Sequence, residues 1–209
     1  MKKIISLIFS IVILSAFALR TNAQKGEWKM SLNYNYSLPI GSFKNDIIGK
    51  SSPRGFSGDF AYGINDRFSA GIYGGYQDFY EKYPRRLYET GNHEVTSAVL
   101  SNSVQTIPIL VKGMFMPFGG KHASVQPYLS AGAGISIIDF SQYLGEFGGN
   151  STNGGFTAQG GAGVMIPFGR YSIVGLNLGA DYNYVAFNKY GYSNLSSVGF
   201  HAGIYFPLR

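Results

Sequence analysis

The residues able to do chemistry in this chain are few, because only 13% of its 209 residues are charged. Two lysines and two aspartates occur in stretches that alternate apolar and polar residues, on the side opposite to the apolar ones. Buried charges are tolerated when they are paired and hydrogen-bonded. We therefore predict an internal network in which Lys112 pairs with Asp59 or Asp181, with an ion path as the alternative. The inward polar set is Lys29, Asp59, Lys112, Asp181, Gln159 and His201.

Histidine and cysteine usage argues against a catalytic or metal centre. His93, His122 and His201 show no spacing typical of metal ligands, and no acidic cluster stands beside them. The absence of cysteine excludes a disulfide framework and a thiol nucleophile. We expect no enzymatic activity, no metal and no cofactor.

A second group of candidate residues lies in a polar link near the middle of the chain. Lys82, Arg85 and Arg86 occur there beside Tyr83. Basic and aromatic side chains at a surface can hold phosphate groups or a protein partner. The simpler interpretation is a solvated loop, because surface charge runs are usually only that.

Regular alternation along eight stretches predicts the elements that carry these residues. In the first stretch Trp28, Met30, Leu32 and Tyr34 fall on one face and Lys29, Ser31 and Asn33 on the other, as in a strand. The predicted strands cover 28–38, 55–64, 68–78, 106–116, 124–138, 154–166, 172–186 and 196–206.

The links between these strands alternate long and short in the sequence. Long links follow strands one, three, five and seven, including the Gly, Ser and Asn-rich stretch 139–153, and three short turns join the others. This rhythm and these strand lengths are typical of a membrane β-barrel with tight turns at one end. The predicted fold is all-β, an eight-stranded antiparallel up-and-down transmembrane β-barrel.

The N-terminus has the pattern of an export signal. Met1-Lys2-Lys3 precedes an apolar run from Ile4 to Ala18, and small residues reach Ala23 before Gln24. We predict a signal peptide over 1–23 and a barrel domain over 24–209. Residues 1–23 contain three of the basic residues, so their removal lowers the net charge from +6 to +3. The remaining charge gives no reason to expect nucleic acid as a partner.

Alternation alone leaves open whether the apolar face points out or in. A soluble lipocalin-like barrel has an apolar lumen, and Gly26-Glu27-Trp28 matches the Gly-x-Trp signature of that family. A soluble barrel needs a charged exterior. The non-apolar faces here are mostly Gly, Ser, Asn, Gln and Thr, which suits a narrow filled lumen and favours the membrane barrel.

Short motifs along the mature chain are similar to those of a known family. They are Leu38-Pro39-Ile40-Gly41-Ser42-Phe43, Thr106-Ile107-Pro108-Ile109-Leu110-Val111-Lys112, the run from Gln126 to Gly134, and Ala23-Gln24. The chain resembles the outer-membrane β-barrel domain family common in Bacteroidetes-type bacteria, which is related in architecture to small OmpA/OmpX-like barrels. It departs from many barrels in ending Phe206-Pro207-Leu208-Arg209 rather than on an aromatic residue.

The resemblance implies residence in the bacterial outer membrane and no particular activity. We expect a structural or surface-interaction role, in contact with outer-membrane lipid and lipopolysaccharide, with insertion by the barrel-assembly machinery and a further envelope protein as a partner. The alternatives are a small-solute or ion channel, a lipid A-modifying enzyme, and a soluble ligand-binding barrel.

Overall fold

A computed structural model describes residues 26–90, 94–118, 125–145, 147–169, 174–189 and 192–208. The predicted signal peptide 1–23 and its cleavage point lie outside these residues, as do His93 and His122. In the described part, no helix is long and apolar enough to cross a membrane.

Eight strands close into one antiparallel barrel, which confirms the predicted fold. Each pairs with its neighbour in sequence, apart from a small separate hairpin, β4 and β5, inserted between β3 and β6; β1 pairs with β10 to close the barrel. The strands are β1 (Trp28–Ile40), β2 (Ser52–Gly63), β3 (Phe68–Lys82), β4 (Arg86–Thr90), β5 (Glu94–Ala98), β6 (Leu100–Phe115), β7 (Gln126–Leu144), β8 (Phe147–Pro167), β9 (Gly175–Lys189) and β10 (Tyr192–Leu208).

The alternation of the sequence becomes the inside and outside of the barrel. Apolar side chains such as Leu32, Ile72 and Val111 are exposed on the outer wall, whereas Lys112 and His201 are buried inside. An exposed apolar belt around a closed barrel is the surface that lipid covers. The soluble alternative, with its apolar lumen and polar exterior, is therefore wrong.

Aromatic rings cluster on the outer wall near both ends of the barrel. At the end where Trp28 pairs with Leu208, here called the turn end, Trp28 packs on Phe60 and Tyr62 with ring centroids 4.7 and 4.9 Å apart. Toward the opposite end, called the loop end, Phe56 stacks on Tyr76 at 5.3 Å. Two aromatic girdles mark the interfaces of a membrane-spanning barrel.

The strands at the loop end are longer than the sequence indicates. β7 and β8 contain 19 and 21 residues, about twice the roughly 9–11 that a tilted strand needs to cross a membrane. The prediction of a long link over 139–153 is wrong, because β7 and β8 pair as far as Leu144 and Phe147. The link predicted around 188–191 is also short, since β9 extends to Lys189 and β10 begins at Tyr192.

The first long link folds into the mouth of the barrel. Its short π-helical segment, Phe43–Ile47, buries Phe43 and Ile47, and Ile48 follows them inside. These side chains meet inward apolar residues from five different strands and form a plug at the loop end. Its members are Phe43, Ile47, Ile48, Phe79, Val104, Ile138, Phe140, Val185, Phe187 and Leu195.

A second apolar cluster fills the turn end. It consists of three methionines and two tyrosines that point inward: Met114, Met116, Met165, Tyr128 and Tyr205. The lumen is thus polar only in its middle, between two apolar layers. The two apolar layers were not predicted from the sequence.

Candidate functional site

The first half of the polar lumen is an ion pair held by three strands. Lys112 Nζ on β6 lies 3.0 Å from Asp59 Oδ1 on β2 and 5.0 Å from the centroid of the Tyr73 ring. Ser31 on β1 donates to the other carboxylate oxygen, Asp59 Oδ2, at 3.0 Å, and Asn33 donates to it at 3.4 Å. A buried ion pair is favourable only when the remaining lone pairs and protons of its charged groups are hydrogen-bonded in this way.

The second half of the polar lumen centres on a histidine. His201 Nδ1 on β10 lies 2.7 Å from Asp181 Oδ2 on β9, and its Nε2 lies 2.8 Å from the hydroxyl of Tyr128 on β7. All three side chains are buried. Lys112 therefore pairs with Asp59 rather than Asp181, and Asp181 has His201 as its partner.

Two asparagines join the halves into one network. Tyr128 donates to Asn177 Oδ1 at 2.9 Å, and Asn177 Nδ2 donates to Asn33 Oδ1 at 2.9 Å. Ion pairs and hydrogen bonds thus run in one connected series from Lys112 across the barrel to Asp181. We call this chain of residues the lumenal network.

Glycines in β8 and β9 make room for the lumenal network. A Cβ atom on Gly161 would lie 2.0 Å from Asp181 Oδ1, and one on Gly163 would lie 2.5 Å from the Tyr128 hydroxyl. A Cβ on Gly179 would lie 2.7 Å from the imidazole of His201. These contacts are far closer than atoms can approach, so the high glycine content of these strands has a specific steric cause.

The other two predicted lumenal residues line cavities. Gln159 donates to Asn183 Oδ1 at 3.0 Å beside a cavity of about 50 Å³, which has room for a few water molecules. Lys29 borders a smaller cavity of about 20 Å³ at the turn end, which Asp59 also lines.

The predicted interaction loop has one residue with a structural task. Lys82, Arg85 and Arg86 are exposed. Tyr83, in contrast, donates from its hydroxyl to the carbonyl oxygen of Ile47 at 3.0 Å and lies 3.1 Å from Glu81 Oε2. The hydroxyl of Tyr83 thus helps to hold the plug in place.

Two further contacts hold the same turn of the plug. Asn102 Nδ2 donates to the carbonyl oxygen of Ile47 at 2.8 Å, and the amide of Gly49 donates to Glu81 Oε2 at 2.6 Å. One sequence signal for the plug is that Phe79, Phe140 and Phe187 fall on the inward face of their strands by alternation. Those rings need an apolar partner inside the mouth of the barrel.

The extension of β8 beyond the barrel has one unpaired side. β8 pairs with β7 from Phe147 to Met165, but its pairing with β9 begins only at Thr157. No strand in the described part of the chain pairs with residues 147–153 on the side away from β7. We call this stretch the free β8 edge; it contains neither charge nor proline.

Within the residues that the structure describes, no three acidic, histidine or cysteine side chains come close enough to hold a metal ion. His201 is committed to Tyr128 and Asp181 inside the barrel. It does not face the lipid, where an enzyme acting on lipid A would need its base.

A closed eight-stranded barrel with an apolar outer belt and a filled lumen defines a small integral outer-membrane barrel protein. The sequence matches the outer membrane protein beta-barrel domain family over residues 4–206, so the chain belongs to that family and resides in the outer membrane. In such barrels the short turns face the periplasm and the longer connections face outward.

Solved structures of other small outer-membrane barrels are similar in fold. The attachment invasion locus protein Ail of Yersinia pestis, solved with the heparin analogue sucrose octasulfate, has 17% identity and a TM-score of 0.50, with 88% of this chain and 99% of that chain covered. Neisserial surface protein A has 19% identity and a TM-score of 0.49, with 86% and 96% covered. No curated protein matches the sequence.

Proposed function

We propose that this protein is a non-enzymatic outer-membrane barrel that acts through the surface it presents outside the membrane. The free β8 edge carries this proposal. Unpaired N–H and C=O groups along a strand bind another strand, and proteins usually guard such edges with lysine, proline or a bulge. This edge has no charge or proline, and its bare backbone fits an extended segment of a partner protein by strand addition.

The interior of the barrel supports the same proposal, because its packing disfavours both the channel and the enzymatic alternative. Apolar layers lie at both ends of the lumen, so a channel would require displacement of packed side chains at each end. His201 is engaged by two lumenal partners, which disfavours the enzymatic alternative.

The other proposed partners are supported by less specific observations. Outer-membrane lipid and lipopolysaccharide surround a barrel of this kind, and the exposed Lys82, Arg85 and Arg86 are suited to their phosphate groups. Insertion by the barrel-assembly machinery and contact with an envelope protein complete the proposed partner set.

Binding of a synthetic strand tests the proposal. The probe is a seven-residue peptide of alternating threonine and valine, added to the protein in lipid nanodiscs, with a fully N-methylated copy that cannot form backbone hydrogen bonds. We expect Asn150→Lys to weaken binding at least tenfold, since a charge guards the edge.

Ser141→Lys is the matched control. Ser141 lies directly opposite Asn150, on β7, a strand paired on both sides at this point. The Ser141→Lys protein should bind the peptide as the parent protein does. Equal binding to the parent and to Asn150→Lys, or equal binding of the N-methylated copy, would contradict the proposal.

A further inference from the structure

The hydrogen bonds of the lumenal network have a direction, because each donor has a fixed number of protons. Asp59, ion-paired to Lys112, can only accept. Ser31 already gives its own proton to Asp59. Asn33 must therefore turn its Nδ2 toward Ser31 Oγ and Asp59 Oδ2, each 3.4 Å away.

This orientation is passed on to the next two residues. Asn33 Oδ1 faces Asn177, which must present its Nδ2 there, 2.9 Å away. Asn177 Oδ1 is then left facing the hydroxyl of Tyr128, also at 2.9 Å, and accepts its only proton. Reversal of either amide would set oxygen against oxygen or nitrogen against nitrogen.

His201 stands at the end of this sequence of donors. Tyr128 has given its proton to Asn177, so its oxygen can only accept from His201 Nε2, 2.8 Å away. Nδ1 faces the carboxylate of Asp181 at 2.7 Å, another acceptor. We propose that His201 is a buried imidazolium, and that Asp59 fixes its second proton through Asn33, Asn177 and Tyr128.

The other groups around His201 agree with a positive charge there. Asn35 lies opposite it on β1, and Tyr73 of β3 and Gln159 of β8 line the same cavity. Asp181 is the charged residue among the groups that share that cavity, and a neutral His201 would leave its carboxylate buried without compensation. The protonation of His201 is thus an internal feature that depends on the charge of Asp59, independent of the surface function proposed above.

Nitrogen NMR of a single-histidine protein tests this directly. His93→Gln with His122→Gln leaves His201 as the only histidine. In nanodiscs at pH 7, with the imidazole labelled with nitrogen-15, we expect both ring nitrogens to resonate as protonated nitrogens. A spectrum with one protonated and one unprotonated ring nitrogen would overturn the proposal.

Two further variants in that background test the coupling. Tyr128→Phe removes the acceptor for His201 Nε2–H but keeps Asp181. The double variant Asp59→Asn with Lys112→Met removes the carboxylate that sets the direction of the hydrogen bonds. In both, the fraction of His201 that carries two ring protons at pH 7 should fall below that of the parent. Tyr205→Phe, another buried tyrosine of the turn-end cluster, is the control and should not change it.

Heat-modifiable mobility on detergent gels confirms that each variant is folded. An unchanged fraction of doubly protonated His201 at pH 7 in folded Tyr128→Phe would mean that Asp181 alone holds the proton, and the coupling to Asp59 would be wrong.

Discussion

The ammonium group of Lys112 lies 3.0 Å from Asp59 Oδ1, and both side chains are almost fully enclosed by the barrel. Breaking such a pair on one side leaves a buried charge without compensation, which costs about 3–5 kcal/mol. We expect Lys112→Ala to lower the free energy of unfolding by this amount in urea titrations from lipid vesicles, followed by the fluorescence of Trp28, the only tryptophan.

Arg54 and Asp78 supply the matched control. Their ion pair is 3.3 Å long, but the Arg54 side chain is 66% exposed, and exposed pairs contribute about 0–1 kcal/mol. Arg54→Ala should therefore have little effect. Equal losses in the two variants would show that Lys112 is not the buried partner described here.

The alternation of the sequence was enough to place this pair inside the barrel, because one side chain in two faces inward in every strand. Partner choice was not predictable, since it depends on the order and stagger of strands. Lys112 on β6 and Asp59 on β2 are separated by β3 in the barrel. That neighbourhood exists only once the barrel has closed.

The sequence was misleading where backbone pairing outweighs local preference. The stretch 139–153 is rich in Gly, Ser and Asn, which favour turns. It nevertheless forms strands, because β7 is paired with β6 on one side and with β8 on the other. The plug was missed for a related reason. Phe43 and Ile47 lie in a link, and the apolar surface that buries them is assembled from β3, β6, β7, β9 and β10.

Glycine substitutions should separate steric need from strand propensity. Gly179→Ala places a methyl group against the His201 ring, so we expect a loss of about 1–3 kcal/mol in unfolding free energy, as for overpacking elsewhere. Gly160→Ala meets nothing within 4 Å and is the control. The same urea titration compares them, and a stable Gly179→Ala protein would refute the tight fit.

Loss of the Tyr83 hydroxyl should loosen the plug without unfolding the barrel. Tyr83→Phe removes the bond to Ile47, a loss of about 1 kcal/mol. Amide hydrogen exchange at 43–49 should become faster, while exchange in the barrel strands stays unchanged. Tyr80→Phe is the control because its side chain lies exposed on the outer wall. Unchanged exchange at 43–49 would mean that Asn102 and Glu81 hold the plug alone.

Ion conductance across a planar bilayer tests whether the lumen is a closed, packed core. We expect the purified protein, inserted at many copies per membrane, to give no steady conductance above that of lipid alone. Discrete openings in the parent protein, with an ion selectivity that changes in Asp59→Asn, would show that ions pass through this lumen and that it is not closed.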